Sequence, residues 1–191
     1  MQNSTACELL TNILRDENDD VMVRHESAEA LGAIGDFSAM DVLKEFENDS
    51  APEISETCKI SIDLLKWQQE KDLQQKGEEG KEIKHTKANE NESKEGDSKN
   101  PYLSVDPAPS QHNDKKVPIS QLRSIMLDES LSLFQRYRAM FSLRNIGTEE
   151  AVLALCEGFR DTSALFRHEV AYVLGQLQHI SSIPALVKVL D

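Results

Sequence analysis

A helical unit that recurs about every 31 residues constrains the fold of this chain more than any other feature. The segment VRHESAEALGAI at 23–34 is followed 31 residues later by ISETCKISIDLL at 54–65. The same offset relates QRYRAMFSLRNI at 135–146 to FRHEVAYVLGQL at 166–177. In each segment, apolar or small residues recur at the spacing of one helix face. The repeat therefore predicts a series of helices that share one orientation.

Shorter apolar segments between these helices predict the second helix of each unit, at 41–47, 151–159 and 183–190. The breaks contain Gly, Asp, Ser and Pro, which are typical of helix ends and turns. A single helix pair cannot bury its apolar face alone, so such units stack into an α-solenoid. The period is shorter than the roughly 40–47 residues of ordinary HEAT repeats. We therefore predict an all-α solenoid of short HEAT-like repeats.

Composition divides the chain into three regions. Residues 1–67 and 118–191 have helical periodicity and are predicted to be two incomplete repeat arms. Residues 68–117 are predicted to be a flexible acidic linker, because their polar first part buries too little apolar surface to offset ordering entropy. A frayed helical extension beyond Trp67 is compatible with this composition. Within this region, PYLSVDPAPS at 101–110 predicts an extended strap across the helices. Plain disorder of that segment is the alternative.

Charge and cysteine content exclude several classes of protein. A formal net charge of −13 disfavours nucleic acid and suits a basic partner. No apolar stretch is long enough to cross a bilayer, so we expect no membrane association. Cys7, Cys58 and Cys156 form neither a disulfide framework nor a zinc pair. These features predict a cytoplasmic protein with free thiols.

One tripeptide recurs at the start of two repeat helices, as Arg24-His25-Glu26 and Arg167-His168-Glu169. The intervening slots hold Ser55-Glu56-Thr57 and Arg136-Tyr137-Arg138, so the fold does not require His-Glu there. Imidazole with carboxylate is a ligand set typical of non-haem iron. We predict that the metal ligands include His25, Glu26, His168 and Glu169. For the two arginines we predict structural hydrogen bonds to neighbouring turns.

The alternative hypothesis is a scaffold without chemistry. His and Glu near a helix start are often solvated, and Glu complements the helix dipole there. Duplication of a repeat would copy such a pair without giving it a function. The chain would then be a solenoid whose concave face binds a protein, and chelation of metal would leave that binding unchanged.

Comparison of 9–26 with 185–191 predicts further His-Glu pairs beyond both ends of this sequence. Leu10, Ile13 and Leu14 match Leu186, Val189 and Leu190 at an offset of 176 residues. The same offset places a pair just after the last residue, and the repeat period places another before the first. We therefore expect incomplete repeats at both ends, with apolar faces that favour self-association.

Five runs, taken in order, resemble the eukaryotic deoxyhypusine hydroxylases. They are VRHESAEALGAIGD, ISETCKISIDLLKW, PYLSVDPAP, LFQRYRAMFSLRNIGTEEAVLAL and SALFRHEVAYVLGQLQH. The resemblance covers both helical regions and the strap. It implies a two-halved HEAT-like solenoid in which His-Glu motifs hold two Fe²⁺ ions per complete enzyme, with dioxygen as co-substrate. The implied substrate is the deoxyhypusine side chain of a translation initiation factor, and the product is hypusine.

The resemblance also implies roles for the four site residues. His25-Glu26 match the second motif of the first half, and His168-Glu169 match the first motif of the second half. His25 and His168 would bind different irons, and Glu169 would be a further ligand. Glu26 would either bind metal or hold the cationic substrate amine. With only part of the motif set present, we expect impaired hydroxylation by this chain.

Overall fold

The computed structural model describes residues 4–82, 101–102, 104–111 and 116–190. This part of the chain is helical, with no strand among the described residues. Its α-helices, in chain order, are α1 (Ser4–Arg15), α2 (Val21–Ile34), α3 (Met40–Glu45), α4 (Pro52–Glu82), α5 (Ile119–Leu127), α6 (Leu133–Ile146), α7 (Glu149–Cys156), α8 (Ala164–Leu177) and α9 (Ile183–Leu190). The predicted helix pairs and the all-α class are confirmed.

The repeat helices begin and end at residues that satisfy the backbone groups of a helix terminus. Asp20 caps α2 by accepting a hydrogen bond from the Met22 N–H at 2.8 Å. Ser132 and Gln135 form a reciprocal capping box at the start of α6. Gly35 and Gly147 follow α2 and α6 with φ of 74° and 64°, a conformation that glycine adopts without steric cost. Local sequence thus sets the 31-residue unit.

Helix α4 contributes side chains to two separate apolar cores, one in each arm. One set of its side chains, including Ile54, Cys58 and Leu65, packs into the core formed with α1, α2 and α3. Ile60 and Leu64, also on α4, lie in the core of the C-terminal arm. The Ser163 hydroxyl at the start of α8 donates a hydrogen bond to the Glu56 carboxylate at 2.6 Å. The arms are therefore packed together along α4.

Gly32 permits a close approach of α2 to α4. A Cβ at this position would lie 2.5 Å from Ser61 Oγ, 2.7 Å from its Cβ and 3.1 Å from its Cα. The Ser61 hydroxyl donates to the Ala28 carbonyl at 3.0 Å across the same contact. Helix α2 carries His25, and α4 carries residues that lie beside His25. The close contact at Gly32 therefore sets the distance between these two helices at the candidate site.

We expect Gly32→Ala to lower the free energy of unfolding by about 1–3 kcal/mol, because α4 must move to admit the methyl group. Gly175→Ala on α8 is the matched control, since its Cβ meets nothing within 4 Å. Removing glycine from a helix interior there is expected to stabilise the fold by about 0.5–1 kcal/mol. Urea unfolding of both variants measures the two changes in the free energy of unfolding. Equal changes would contradict the conclusion that the close approach of α2 to α4 requires glycine at position 32.

Arg24 and Arg136 make the same contacts in the two arms. The Nε–H groups of Arg24 and Arg136 donate to the carbonyls of Leu14 and Met126 respectively. Their guanidinium groups pair with the carboxylates of Asp49 and Asp161 and stack on the rings of Phe46 and Phe166. The arginines, the carbonyl acceptors and the aspartates of the two arms each lie 112 residues apart, whereas the two aromatic rings come from positions 120 residues apart. The structural role predicted for Arg24 is thus confirmed.

The same role is confirmed for Arg167, whose Nη1 donates to the carbonyls of Asp161 and Thr162 at 2.7 and 3.0 Å. The predicted free thiols are also confirmed, as Cys7, Cys58 and Cys156 are unpaired. Burial raises the pKa of the Cys58 thiol to about 12. These cysteines serve as small packing residues.

Helix α4 extends to Glu82, beyond residue 67, where helical periodicity was predicted to end. Gln, Glu and Lys dominate this extension, and these good helix formers propagate a helix already anchored by packing. The rest of the predicted linker falls largely on residues 83–100, which lie outside the described residues. Across the described ranges, no helix is both long and apolar enough to span a membrane.

The strap prediction is confirmed for residues 104–111, which we call the strap from here on. Ala108 is fully buried, and the Gln111 N–H donates to the Ser142 hydroxyl of α6 at 2.8 Å. Arg138, also on α6, donates to the Pro109 carbonyl at 3.1 Å. The strap therefore lies across α6.

Candidate functional site

The imidazole of His25 is buried and held from one side. Its Nδ1 is hydrogen-bonded to the Thr57 hydroxyl of α4 at 2.6 Å. Its Nε2 is 3.9 Å from Glu26 Oε1 and 4.0 Å from Glu29 Oε2. A hydrogen bond to one ring nitrogen fixes the ring and leaves the other nitrogen directed at the two carboxylates. His25 therefore presents Nε2 to the site.

The carboxyl group of Glu169, in the second turn of α8, contributes to the same region from the second arm. It is buried and lines a cavity of about 10 Å³, which is close to the space needed for one water molecule. The other lining residues come from α2, α4, α6, α8 and the strap: Glu29, Thr57, Ile60, Ser61, Pro107, Tyr137 and Leu165. The cavity thus lies where the two arms meet.

The charges of this region interact strongly. The pKa of Glu169 is raised to about 8, first by burial and then by the carboxylates of Glu29 and Asp106, against the opposing effect of Arg144. Burial also raises the pKa of Glu29, with Glu26 acting in the same direction. A site with several crowded carboxylates favours a cationic ligand.

Burial lowers the pKa of His25, in opposition to the nearby carboxylate of Glu26. His168 lowers the pKa of His25 further by its own charge, so the two predicted histidines lie close enough to interact electrostatically. A neutral imidazole is the form that binds metal. His25 is therefore in a binding-competent state near neutral pH.

The structure brings the four predicted residues into one region but exposes them unequally. His25 and Glu169 are buried, whereas the Glu26 side chain is 70% exposed and His168 is exposed. Two neighbours were missed, Glu29 and Thr57. The signal for Glu29 was its position four residues after His25, on the same helix face. Nothing local marked Thr57, whose contact with His25 joins two different helices.

The two arms correspond residue by residue, and this explains why the histidine of the His-Glu pair is buried in the first arm and the glutamate in the second. At an offset of 112 residues, Tyr137 occupies the place of His25, and Glu169 occupies the place of Thr57. The His25–Thr57 contact of the first arm thus corresponds to a Tyr137–Glu169 pair in the second. Burial raises the pKa of Tyr137 well above its usual value, and Glu169 adds to the effect. Both pairs border the same cavity region.

The residues present meet only part of the requirement for a bound metal. The donor types fit iron, because a neutral imidazole faces carboxylates. The number of donors falls short of what a bound iron needs. No group of three His, Cys, Asp or Glu side chains within 4–74, 101–102, 104–111 and 116–190 is arranged to hold a metal ion. The described residues therefore provide a partial donor set.

Comparison with known proteins agrees with this architecture. A family model described as PBS lyase HEAT-like repeat matches residues 23–53, 135–161 and 166–191. The fold and these matches define an α-helical repeat protein of the HEAT-like class. At the sequence level, deoxyhypusine hydroxylase from Danio rerio is 48% identical over 191 residues, which cover 100% of this chain and 56% of that protein.

Deoxyhypusine hydroxylase from Homo sapiens is 46% identical over 190 residues, covering 100% of this chain and 55% of that protein. A solved structure of human deoxyhypusine hydroxylase in complex with glycerol matches with a TM-score of 0.76 and 46% identity. That match covers 97% of this chain and 56% of the human chain. The chain belongs to the deoxyhypusine hydroxylase family and spans slightly more than half the length of these relatives.

Proposed function

We propose that this chain carries part of an iron-dependent monooxygenase that hydroxylates a deoxyhypusine side chain to hypusine. The observation that carries the proposal is the approach of His25 Nε2 to Glu26 and Glu29 in a region that also holds the buried Glu169, with His168 close enough to act on the pKa of His25. Family membership supports the reaction, and the partial donor set supports iron. Two Fe²⁺ ions in the complete protein would supply activation of dioxygen.

Each site residue has a role in this proposal. His25 and His168 provide one imidazole each, to different irons, and Glu169 is a further ligand from the second arm. Glu26 is exposed enough to move, so it either binds metal or receives the cationic amine of the substrate. Thr57 orients His25 through Nδ1 and thereby directs Nε2 at the metal.

The proposed partner is a deoxyhypusine-bearing translation initiation factor in the cytoplasm. The acidic side chains of Glu26 and Glu29 suit an amine-bearing side chain.

We also propose self-association of this chain through the repeat ends. On α9 the exposed side chains include Ile183, Val187, Val189 and Leu190, and the last is 88% exposed. Light scattering of the purified chain tests this, and a clean monomer at high concentration would exclude it.

Hydroxylation of the deoxyhypusine-bearing factor tests the function in a chain lengthened at both ends to the span of its relatives. We expect His168→Ala to lower kcat/KM at least about 100-fold, because it removes a metal ligand. His179→Ala is the control, since His179 Nδ1 only accepts the Ser181 N–H at 3.2 Å beyond the end of α8. Equal activity of the two variants would contradict the assignment of His168.

A non-catalytic solenoid that binds a protein partner is the second candidate function. The absence of a three-donor metal group among the described residues favours it for this chain on its own. Chelation separates the two candidates, because a scaffold keeps its partner binding and has no activity to lose. Loss of hydroxylation in the lengthened chain after chelation, and its return with added Fe²⁺, would exclude the scaffold.

A further inference from the structure

The strap is fixed to the helices by a buried ion pair that the proposed chemistry does not use. The Asp106 carboxylate accepts hydrogen bonds from Arg144 Nη1 at 2.8 Å and from Nη2 at 2.6 Å. The Arg144 side chain is completely buried, and the Asp106 side chain is 10% exposed. Such a bidentate pair fixes both the position and the orientation of the carboxylate.

Arg144 also links the strap to α8, the helix that carries His168 and Glu169. Its Nη1 donates to the Gln176 side chain at 3.0 Å, and Gln176 Nε2 donates to the Ser104 hydroxyl at 3.0 Å. The guanidinium stacks on the rings of Tyr102 and Phe141 at 4.9 and 4.7 Å. One buried side chain thus ties together the strap, α6 and α8.

A buried ion pair is weak evidence for stability, because an apolar pair of similar volume is often as stable or more so. Its effect here is positional. Pro107 follows Asp106 directly and lines the cavity beside Glu29 and Glu169. The cavity residues on α2, α4, α6 and α8 are held by helix packing, whereas Pro107 is held by the strap attachments. The position of this wall therefore depends on Asp106 and Arg144.

We propose that the strap is a fixed wall of the site and that Arg144 is its positioning residue. Pro107 closes the cavity to a volume of about 10 Å³ and limits access to the Glu169 carboxyl group. Resting on the proposed function, this wall limits which ligands reach the Glu169 carboxyl group. The wall itself exists whether or not that function is correct, so the two ideas are tested separately.

Thiol labelling measures the wall without requiring activity. Ser61→Cys introduces a thiol at the cavity, and trypsin cleavage after Lys59 separates this introduced thiol from Cys58 for mass spectrometry. Cys58 is fully buried in the N-terminal core and is an internal control for global unfolding. In the Ser61→Cys background we expect Arg144→Met to raise the labelling rate of the introduced thiol at least about tenfold, with Cys58 unchanged.

Two further variants keep the test decisive. Pro107→Gly removes the wall without leaving a buried charge, so it gives the answer if Arg144→Met does not fold, and the same rise is expected. Arg136→Met breaks the other buried arginine–aspartate pair on α6, away from the strap, and is expected to leave the labelling ratio of the introduced thiol to Cys58 unchanged. The proposal is overturned if Pro107→Gly leaves labelling of the introduced thiol unchanged, or if the introduced thiol and Cys58 rise together in that variant.

Discussion

Glu169→Gln is expected to stabilise the iron-free chain by up to about 5 kcal/mol at about pH 9 and to have little effect at about pH 4. The reason is the raised pKa of Glu169, from 4.5 to about 8, caused first by burial. Glutamine keeps the shape and polarity of the protonated acid but cannot ionise. Urea unfolding of both proteins across this pH range measures the difference.

The sign of the effect follows from the protonation of the two states. Below the unfolded pKa of 4.5, Glu169 is protonated in both states and has no pH-dependent effect. As the pH rises from 4.5 to about 8, the unfolded chain ionises while the folded chain keeps its proton, so the unfolded state gains in stability. Above a pH of about 8, the folded state has lost all of the stability that depends on the protonation of Glu169. The advantage of glutamine grows over the same window.

Glu157→Gln provides a control of the opposite sign. A hydrogen bond from Arg123 lowers the pKa of Glu157, so its charged form helps the folded state at neutral pH and this help is lost in acid. Its substitution should therefore cost stability at neutral pH and have a smaller effect in acid. A difference between Glu169→Gln and the parent that does not change with pH would contradict the buried-acid account.

Arg24→Met is expected to lower the free energy of unfolding by about 3–5 kcal/mol. It removes the partner of the nearly buried Asp49 carboxylate, the hydrogen bond to the Leu14 carbonyl at 3.0 Å and the stacking on Phe46. A buried charge left without its partner carries the full desolvation cost. Thermal and urea unfolding at neutral pH measure the loss.

Arg15→Met is the matched control for Arg24→Met. Arg15 likewise pairs with a carboxylate, that of Glu45, to which it donates two hydrogen bonds at 3.1 and 2.7 Å. Its side chain is 50% exposed, however, and exposed pairs contribute only about 0–1 kcal/mol. Similar losses in the two variants would show that burial does not determine the strength of the Arg24 contacts.

The fold was predictable because its signals are local and repeated. Periodic apolar residues, capping residues such as Asp20 and the glycines after α2 and α6 each act within a few residues, and the repeat multiplies them. Residue 67 marks the end of the apolar periodicity, and the helical extension beyond Trp67 depends on propensity and not on an apolar stripe. Composition alone therefore underestimates the length of α4.

The site was predictable only in part, for a physical reason. The recurrence of His-Glu in equivalent slots predicted His25 and Glu169 as site residues, and Thr57, the hydrogen-bond partner of His25, lines the same cavity as Glu169. Their unequal burial depends on the Thr57 and Tyr137 contacts between helices far apart in sequence. The ion pair between Asp106 and Arg144 joins residues 38 positions apart in the sequence, and no repeating sequence pattern marks it. Contacts of this kind become evident only when both arms are packed together in three dimensions.

Iron content tests the central claim most directly. The chain should be compared with a form lengthened at both ends to the span of its relatives, and with His25→Ala and His168→Ala in that form. We expect about two iron ions per lengthened chain, much less in the present chain, and a loss of iron in both variants. A lengthened chain that is folded but holds no iron, or that keeps its iron in both variants, would contradict the assignment of a metal-binding hydroxylase site.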